Sequence, residues 1–193
     1  MENLESWLID PERSRLLFTL RHIVVQQIRG SFGRWGGALL LDRVQPARSQ
    51  LRVWVDLATI ETGAAERDGH VKSAEFLDVL AYPRAEFRST DVMLRPDGAV
   101  VVAGWLDLHG HGKKIELDVE VGDSWTDAGG HRRAKYVARG KVDRQAFGLH
   151  WNQDLDVGGV VVGDIVDFTA ELELLQVAER ASAFERAERA PAP

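Results

Sequence analysis

Val166-Asp-Phe-Thr-Ala-Glu-Leu-Glu-Leu174 is the stretch that decides the fold. Val166, Phe168, Ala170, Leu172 and Leu174 alternate with Asp167, Thr169, Glu171 and Glu173. Successive side chains of a strand point to opposite faces, so this period of two describes a strand with one face inward and one toward water. Leu51, Val53, Val55 and Leu57 repeat the pattern around Arg52, Trp54 and Asp56, as do Ile115, Leu117, Val119 and Val121 around Glu116, Asp118 and Glu120. A pattern that returns along the whole chain predicts a closed or sandwiched antiparallel sheet. The functional question is then what the interior holds.

Outward from these segments, Leu16 to Val25 reads as the first strand, with Leu16, Phe18, Leu20 and His22 on one face. Arg29 to Leu41 is strand-like but carries Gly30, Gly33, Gly36 and Gly37, which suit bulges and sharp bends that let a sheet curl. Ala85 to Leu94, Val100 to Leu108, Lys113 to Val121, Tyr136 to Val142 and Asp164 to Leu174 follow. Turns are expected at Pro96 to Gly98, His109 to Gly112, Asp127 to Gly130 and Asp156 to Gly159. The total is roughly eight strands, the number at which a barrel is wide enough for one small ligand. The fold class expected is therefore mainly β, an antiparallel eight-stranded lipocalin-like barrel.

Between the third and fourth strands the period changes. From Ala64 to Leu80, Val71, Ala74 and Leu77 recur at three and four, with Phe76 and Leu80 beside them, which predicts one or two helical pieces. Thr62 is placed to cap the start, Asp68 and Lys72 are spaced as an i,i+4 pair, and Pro83 ends the run. Residues 1–176 read as one domain, and 177–193, rich in Ala, Glu and Arg before Pro191 and Pro193, as a short helical or disordered tail.

Composition excludes several classes. The 193 residues are enough for one good core, and 45% hydrophobic with 28% charged residues marks a soluble globular chain. A net charge of −6 without a dense Lys/Arg stripe argues against nucleic acid as a partner. The absence of cysteine removes disulfides, thiolate metal sites and cysteine nucleophiles. No apolar run is long enough to cross a bilayer. The start, MENLESW, has neither a basic nor an apolar leader region, so the expected location is the cytoplasm, or the periplasm if a signal was removed.

Several local signatures occur in order. Trp7-Leu-Ile-Asp10 precedes a strand beginning near Ser14, and His22 lies eight residues before Gly30-Ser-Phe32. Arg67-Asp-Gly-His70-Val-Lys-Ser73 leads into Glu75-Phe76-Leu-Asp78, and Tyr82-Pro83 precedes Glu86-Phe-Arg-Ser-Thr90. Gly104-Trp-Leu-Asp-Leu-His-Gly110, Asp143-Arg-Gln-Ala-Phe-Gly-Leu149 and Val162-Gly-Asp164 complete the set. This succession, from about Trp7 to Leu175, resembles the YceI-like family. The resemblance implies a lipocalin-like barrel with a helical segment over one side, binding a polyisoprenoid or other long-chain lipid in an apolar tunnel. It leaves room for a homodimer, and relatives of this kind are often periplasmic. The sequence departs from the family pattern where His111 and Gly112 follow Gly110.

The residues expected to line the tunnel or its mouth are Phe18, Leu20, Phe32, Trp35, Val53, Val55, Phe76, Leu80, Phe87, Leu106, Tyr136, Phe147 and Phe168. The competing reading is a solid core, because small barrels are often plugged by their own side chains. Head-group contacts are expected from His22, Arg67, Asp68, His70 and Ser73, against the alternative of a solvated helix start and a core or rim histidine.

No catalytic residue, cofactor or metal is expected. His109-Gly-His111 offers two imidazoles where zinc needs three or four ligands. The glycine run from Gly30 lacks the G-K-[ST] ending of a phosphate loop, and no G-x-S-x-G elbow occurs. Glu116, Asp118, Glu120, Glu171 and Glu173 fall on polar strand faces, where hydration rather than acid–base work is expected. The function expected is sequestration or carriage of a long-chain amphiphile. The alternative is an enzyme acting on a lipid or small hydrophobic metabolite in the same cavity, with His22, Arg67, Asp68 or His70 as polar groups.

Overall fold

The computed structural model describes residues 4–22, 26–152 and 162–178. Among these residues eleven strands form one sheet: β1 (Leu4–Ile9), β2 (Arg15–His22), β3 (Gln26–Phe32), β4 (Trp35–Asp42), β5 (Gln50–Asp56), β6 (Ile60–Glu61), β7 (Arg84–Leu94), β8 (Val100–Leu108), β9 (His111–Thr126), β10 (Arg132–Asp143) and β11 (Val162–Val177). All pairings between neighbours are antiparallel. An α-helix, α1 (Ala65–Lys72), lies between β6 and β7.

The eleven strands occupy eight positions around a closed ring. Strand β11 pairs with β2 through Val166 to Glu171 and with β1 through Leu174 to Val177, so β1 and β2 act as one strand broken at Asp10–Ser14. The continuous run β3–β4 bends at Gly33 and Arg34, pairing first with β2 and then with β1. Strands β5 and β6 form a third bent strand, interrupted by a short 3₁₀ turn over Leu57–Thr59. Strands β7 to β11 close the circle, and the β1–β11 pair leaves the barrel without an open edge on that side.

The expected barrel is therefore present, with differences that have physical causes. Strand β1 was not anticipated. Its run holds Trp7 and Ile9 inside, at 0% and 5% exposure, but is too short and polar at its start for an alternation to stand out. The β8–β9 hairpin turns on His109 and Gly110, both at positive φ (50° and 73°), a tight turn in which glycine carries no steric cost at the second position. Val121 is exposed despite its phase; it closes the alternating run, and the β9–β10 register shifts just beyond it, between Tyr136 and Ala134.

The helix is shorter than its periodic pattern. It ends at Lys72, Ser73 turns extended with its hydroxyl donating to the His70 carbonyl at 2.7 Å, and Asp78 takes a left-handed φ of 43°. Leu77 is folded inward by that turn and Leu80 is thrown outward, at 96% exposure. Thr62 does not cap the helix, whose N-cap residue is Ala64, and Asp68 bonds Thr62 instead of pairing with Lys72. The expected turn at Asp156–Gly159, Val25 at the end of the first strand and the tail beyond Ala178 lie outside the described residues.

Packed apolar clusters occupy parts of the interior. Trp7, Ile9, Trp35, Ala134 and Leu174 plug one end, and Phe87, Val102 and Leu117 pack along one side. Leu57, Ile60, Leu77, Ala85 and Leu149 pack under α1 at the other end. Beside the plug, Arg133 reaches Asp127 (2.8 Å), Asp10 (2.9 Å) and Glu173 (2.9 Å), with Arg13 adding a fourth pair at 3.3 Å. Glu173, expected to be hydrated, is instead buried in this cluster. The cluster holds the Asp127 carboxyl well below its ordinary value, first through the Arg133 bond and then through the His131 amide, and raises Arg133 in return.

Candidate ligand-binding site

Between the plug and α1 the barrel holds a partly open apolar cavity of about 260 Å³. Inward positions of the alternating strands build its wall: Leu51, Val53 and Val55 from β5, Ala85 and Phe87 from β7, Ile115 and Leu117 from β9, and Val166, Phe168, Ala170 and Leu172 from β11. Trp35 connects it to the plug, and Val71, Phe76 and Leu77 cover the α1 end. Thirty of the described residues line the cavity, and among these only Thr62, Arg67 and Arg144 bring a charged or hydroxyl side chain.

Of the residues singled out from sequence, Phe18, Leu20, Phe32, Trp35, Val53, Val55, Phe76, Phe87, Leu106 and Phe168 lie on this wall. Leu80, Tyr136 and Phe147 do not. Leu80 faces solvent for the reason given above. Tyr136 packs against the plug, where burial raises its pKa. Phe147 is buried at 2% exposure on the Arg144–Phe147 turn, but the wall at that point is made by Arg144 and Leu149.

The polar residues divide similarly. Arg67 is on the wall, whereas Asp68 stands behind Thr62, accepting from its amide at 2.9 Å and its hydroxyl at 2.5 Å. Ser73 closes the helix end. His22, at the end of β2, lies off the wall. His70 sets its ring against Trp151 at 4.3 Å, Trp151 in turn meets Phe76 at 6.3 Å, and the His70 Nε2 is buried without a hydrogen-bond partner among the described residues.

Arg144 is the wall residue that sequence reasoning left as a turn element. It is 1% exposed and uses all five of its N–H directions: to the carbonyls of Gly163 (2.9 Å), Leu149 (2.5 Å), Trp151 (2.9 Å) and Val162 (3.2 Å), and to the Asp164 carboxylate (3.1 Å). Burial lowers its pKa, and Asp164 and Asp143 oppose the shift. The only sequence-visible signal was an Arg in an Asp143-to-Leu149 turn; no local pattern says that four carbonyls from two later segments will converge on it.

His109 and His111 do sit near each other, with ring centres 6.4 Å apart, but His109 packs on Tyr82 and faces the Phe147 carbonyl at 3.2 Å. Among the described residues no three His, Asp or Glu converge on a metal-sized site. No helix among them is long and apolar enough to cross a membrane.

The same barrel occurs in solved structures. Burkholderia cenocepacia BcnA superposes with a TM-score of 0.74 at 19% identity, covering 86% of this chain and 98% of that one. The Campylobacter jejuni YCEI protein gives 0.67 at 22% identity, covering 79% and 86%. A polyisoprenoid binding domain from Saccharophagus degradans gives 0.60 at 14% identity, covering 89% and 98%. In sequence, a UPF0312 protein of Vibrio cholerae is 31% identical over 149 residues, which is 76% of this chain and 79% of that one. Protein YceI of Salmonella newport is 31% identical over 132 residues, 68% of this chain and 69% of that one. The family model for the YceI-like domain matches residues 7–174, from the buried Trp7 of the plug to the Leu174 that packs on it, and the chain belongs to the YceI-like family.

Proposed function

We propose that this protein binds a long-chain amphiphile, of the polyisoprenoid kind, with the tail inside the barrel, and that it sequesters or carries that lipid rather than transforming it. The observation that carries the reading is the cavity wall, in which 27 of the 30 described lining residues are apolar apart from the Trp35 ring nitrogen. A wall of this kind rewards transfer of methylene groups out of water at about 0.8 kcal/mol each, so one five-carbon isoprene unit contributes on the order of 3 to 4 kcal/mol gross. Association and ordering costs of about 4 to 15 kcal/mol then make affinity climb with tail length until the cavity is filled. The Saccharophagus degradans relative, described as a polyisoprenoid binding domain, supports the same choice of ligand class.

Native mass spectrometry of the protein purified without detergent, followed by uptake of a prenyl alcohol series of increasing length, tests this. Co-purified lipid and a stepwise gain in affinity with each unit are expected. Protein that stays empty and takes up no member of the series defeats the reading, and turnover of a bound lipid in place of retention would favour an enzyme.

A further inference from the structure

Five consecutive residues after α1, Leu80-Ala-Tyr-Pro-Arg84, are exposed, and Leu80 at 96% is the most exposed large apolar side chain among the described residues. The turn that presents them is tied at both ends. The Asp78 carbonyl accepts the amides of Ala81 and Tyr82 at 3.0 and 2.8 Å, and the Pro83 carbonyl accepts the Leu57 amide at 3.0 Å. Tyr82 lies against the β8–β9 hairpin, its ring 4.6 Å from that of His109 and so close to Gly110 that a Cβ there would fall 2.8 Å from it. Burying Leu80 would require breaking this frame.

Cations stand directly behind the apolar tip. Arg84 lies over the Trp54 ring at 5.2 Å. On the hairpin side the Lys114 ammonium is 6.0 Å from the centre of the Trp105 ring, which is itself 45% exposed, and Lys113 is exposed beside it. None of these three cations is ion-paired among the described residues. Of the acids at this end, Glu86 is engaged by Arg88 at 2.6 Å and Glu75 faces His70 at 3.6 Å.

An apolar point, then a tyrosine, then cations laid on tryptophan rings follow the order in which a bilayer passes from acyl chain to head group. Lysine and arginine stems reach out of the apolar layer to the phosphates, and each such charge adds affinity for an anionic leaflet. Five residues at a tip are few beside the roughly 20 to 30 a side of a stable protein interface, whereas a bilayer demands no matching relief. We propose that the rim formed by Leu80, Tyr82 and the β8–β9 hairpin docks the protein on an anionic lipid bilayer, with Leu80 below the head groups and Arg84, Lys113 and Lys114 on the phosphates. The net charge of −6 opposes approach from a distance, so the attraction acts at short range. Docking of this kind uses the outer surface alone and does not depend on what the cavity holds.

The test sediments the full-length protein with vesicles of phosphatidylcholine, or of phosphatidylcholine with one third phosphatidylglycerol. Binding to the mixed vesicles is expected to be at least about tenfold tighter than to the neutral ones, since a single cation at such a surface contributes about fivefold. Leu80→Asp should weaken it by about tenfold or more, the loss expected when a leucine no longer leaves water. The double variant Lys113→Glu with Lys114→Glu should bring it down to the neutral level. Leu94→Asp alters a site 64% exposed at the end of β7, toward the opposite end of the barrel from the β8–β9 hairpin, and should change binding less than about twofold. Hydrogen exchange of the unmodified protein, which no folding defect confounds, should show vesicle-induced protection over 80–84 and 109–114 and none over 94–100. No binding to mixed vesicles, equal losses in Leu80→Asp and Leu94→Asp, or protection confined to other segments overturns the proposal. Protein that takes up prenyl alcohols from solution yet ignores vesicles loses the docking and keeps the cavity reading, and protein that docks but takes up none does the reverse.

Discussion

The ring of Phe168 lies across Gly140: the two are Cα partners on β11 and β10, and a Cβ at position 140 would fall 2.4 Å from the tip of the ring. Phe18 stands in the same relation to Gly30 on the neighbouring strand, with a would-be Cβ at 2.3 Å. Both rings are on the cavity wall. The glycines thus do more than curl the sheet, since each leaves the space that lets an aromatic ring lie flat against the barrel instead of filling it.

Gly140→Ala should therefore push the Phe168 ring into the cavity. Overpacking of this kind costs roughly 1 to 3 kcal/mol. The expected outcome is a modest loss in denaturant midpoint together with weaker uptake of long tails. Gly104→Ala provides the contrast, because its Cβ would sit 2.4 Å from the Arg88 carbonyl oxygen, which no rotamer change can move. Its stability loss should exceed that of Gly140→Ala.

The two leucines that bracket the turn after α1 should behave oppositely. Leu77, at 6% exposure, packs under the helix, and Leu77→Ala should cost about 2 to 5 kcal/mol. Leu80→Ala should change stability by less than about 0.5 kcal/mol, as expected for an exposed site. Equilibrium unfolding of both variants checks this, and equal losses would mean that Leu80 is buried after all.

Arg144→Lys keeps the charge but supplies three donors where five acceptors wait. Two acceptors left unpaired at about 1 to 3 kcal/mol each give an expected loss of roughly 2 to 6 kcal/mol. The Leu149–Trp151 segment should also lose protection in hydrogen exchange, since its carbonyls are tied down by this one side chain.

The Asp127–Arg133 pair makes stability depend on acid in a defined direction. Asp127 is held below its ordinary value of 3.8, so its folded form is favoured by ionisation. The contribution is fully present above that value and is lost as the pH falls below it toward the depressed folded value. Unfolding midpoints should show no loss from this pair between pH 7 and pH 5 and a fall below about pH 4. In Asp127→Asn that acid-dependent fall should be shallower, while stability at pH 7 is already reduced.

Much of this was legible in the chain. Alternation along Leu51–Leu57, Ile115–Leu117 and Val166–Leu174 set which side chains face inward, because a strand's period is two and nothing but burial satisfies a row of apolar groups. Seven of the wall positions, from Phe18 to Phe168, could be picked on that ground; Phe32 and Trp35 differ in phase across the bend between β3 and β4, and Phe76 belongs to the helical segment. The α1 region was harder: the three-four spacing runs on to Leu80, but helix ends are set by capping and backbone conformation, and the Ser73 hydroxyl and the left-handed Asp78 stop it first.

By itself, the sequence determined the strand phase, the barrel class, the acidic surface and the apolar character of whatever the strands enclose. Only the tertiary structure decided that the enclosed space is partly plugged by Trp7 and Trp35 and partly open, and that Arg144 is consumed by carbonyls while Arg67 is not. Packing and charge pairing are sums over residues far apart in the chain. Local periodicity records which way a side chain points, but which partner meets it there depends on where the other strands have been brought.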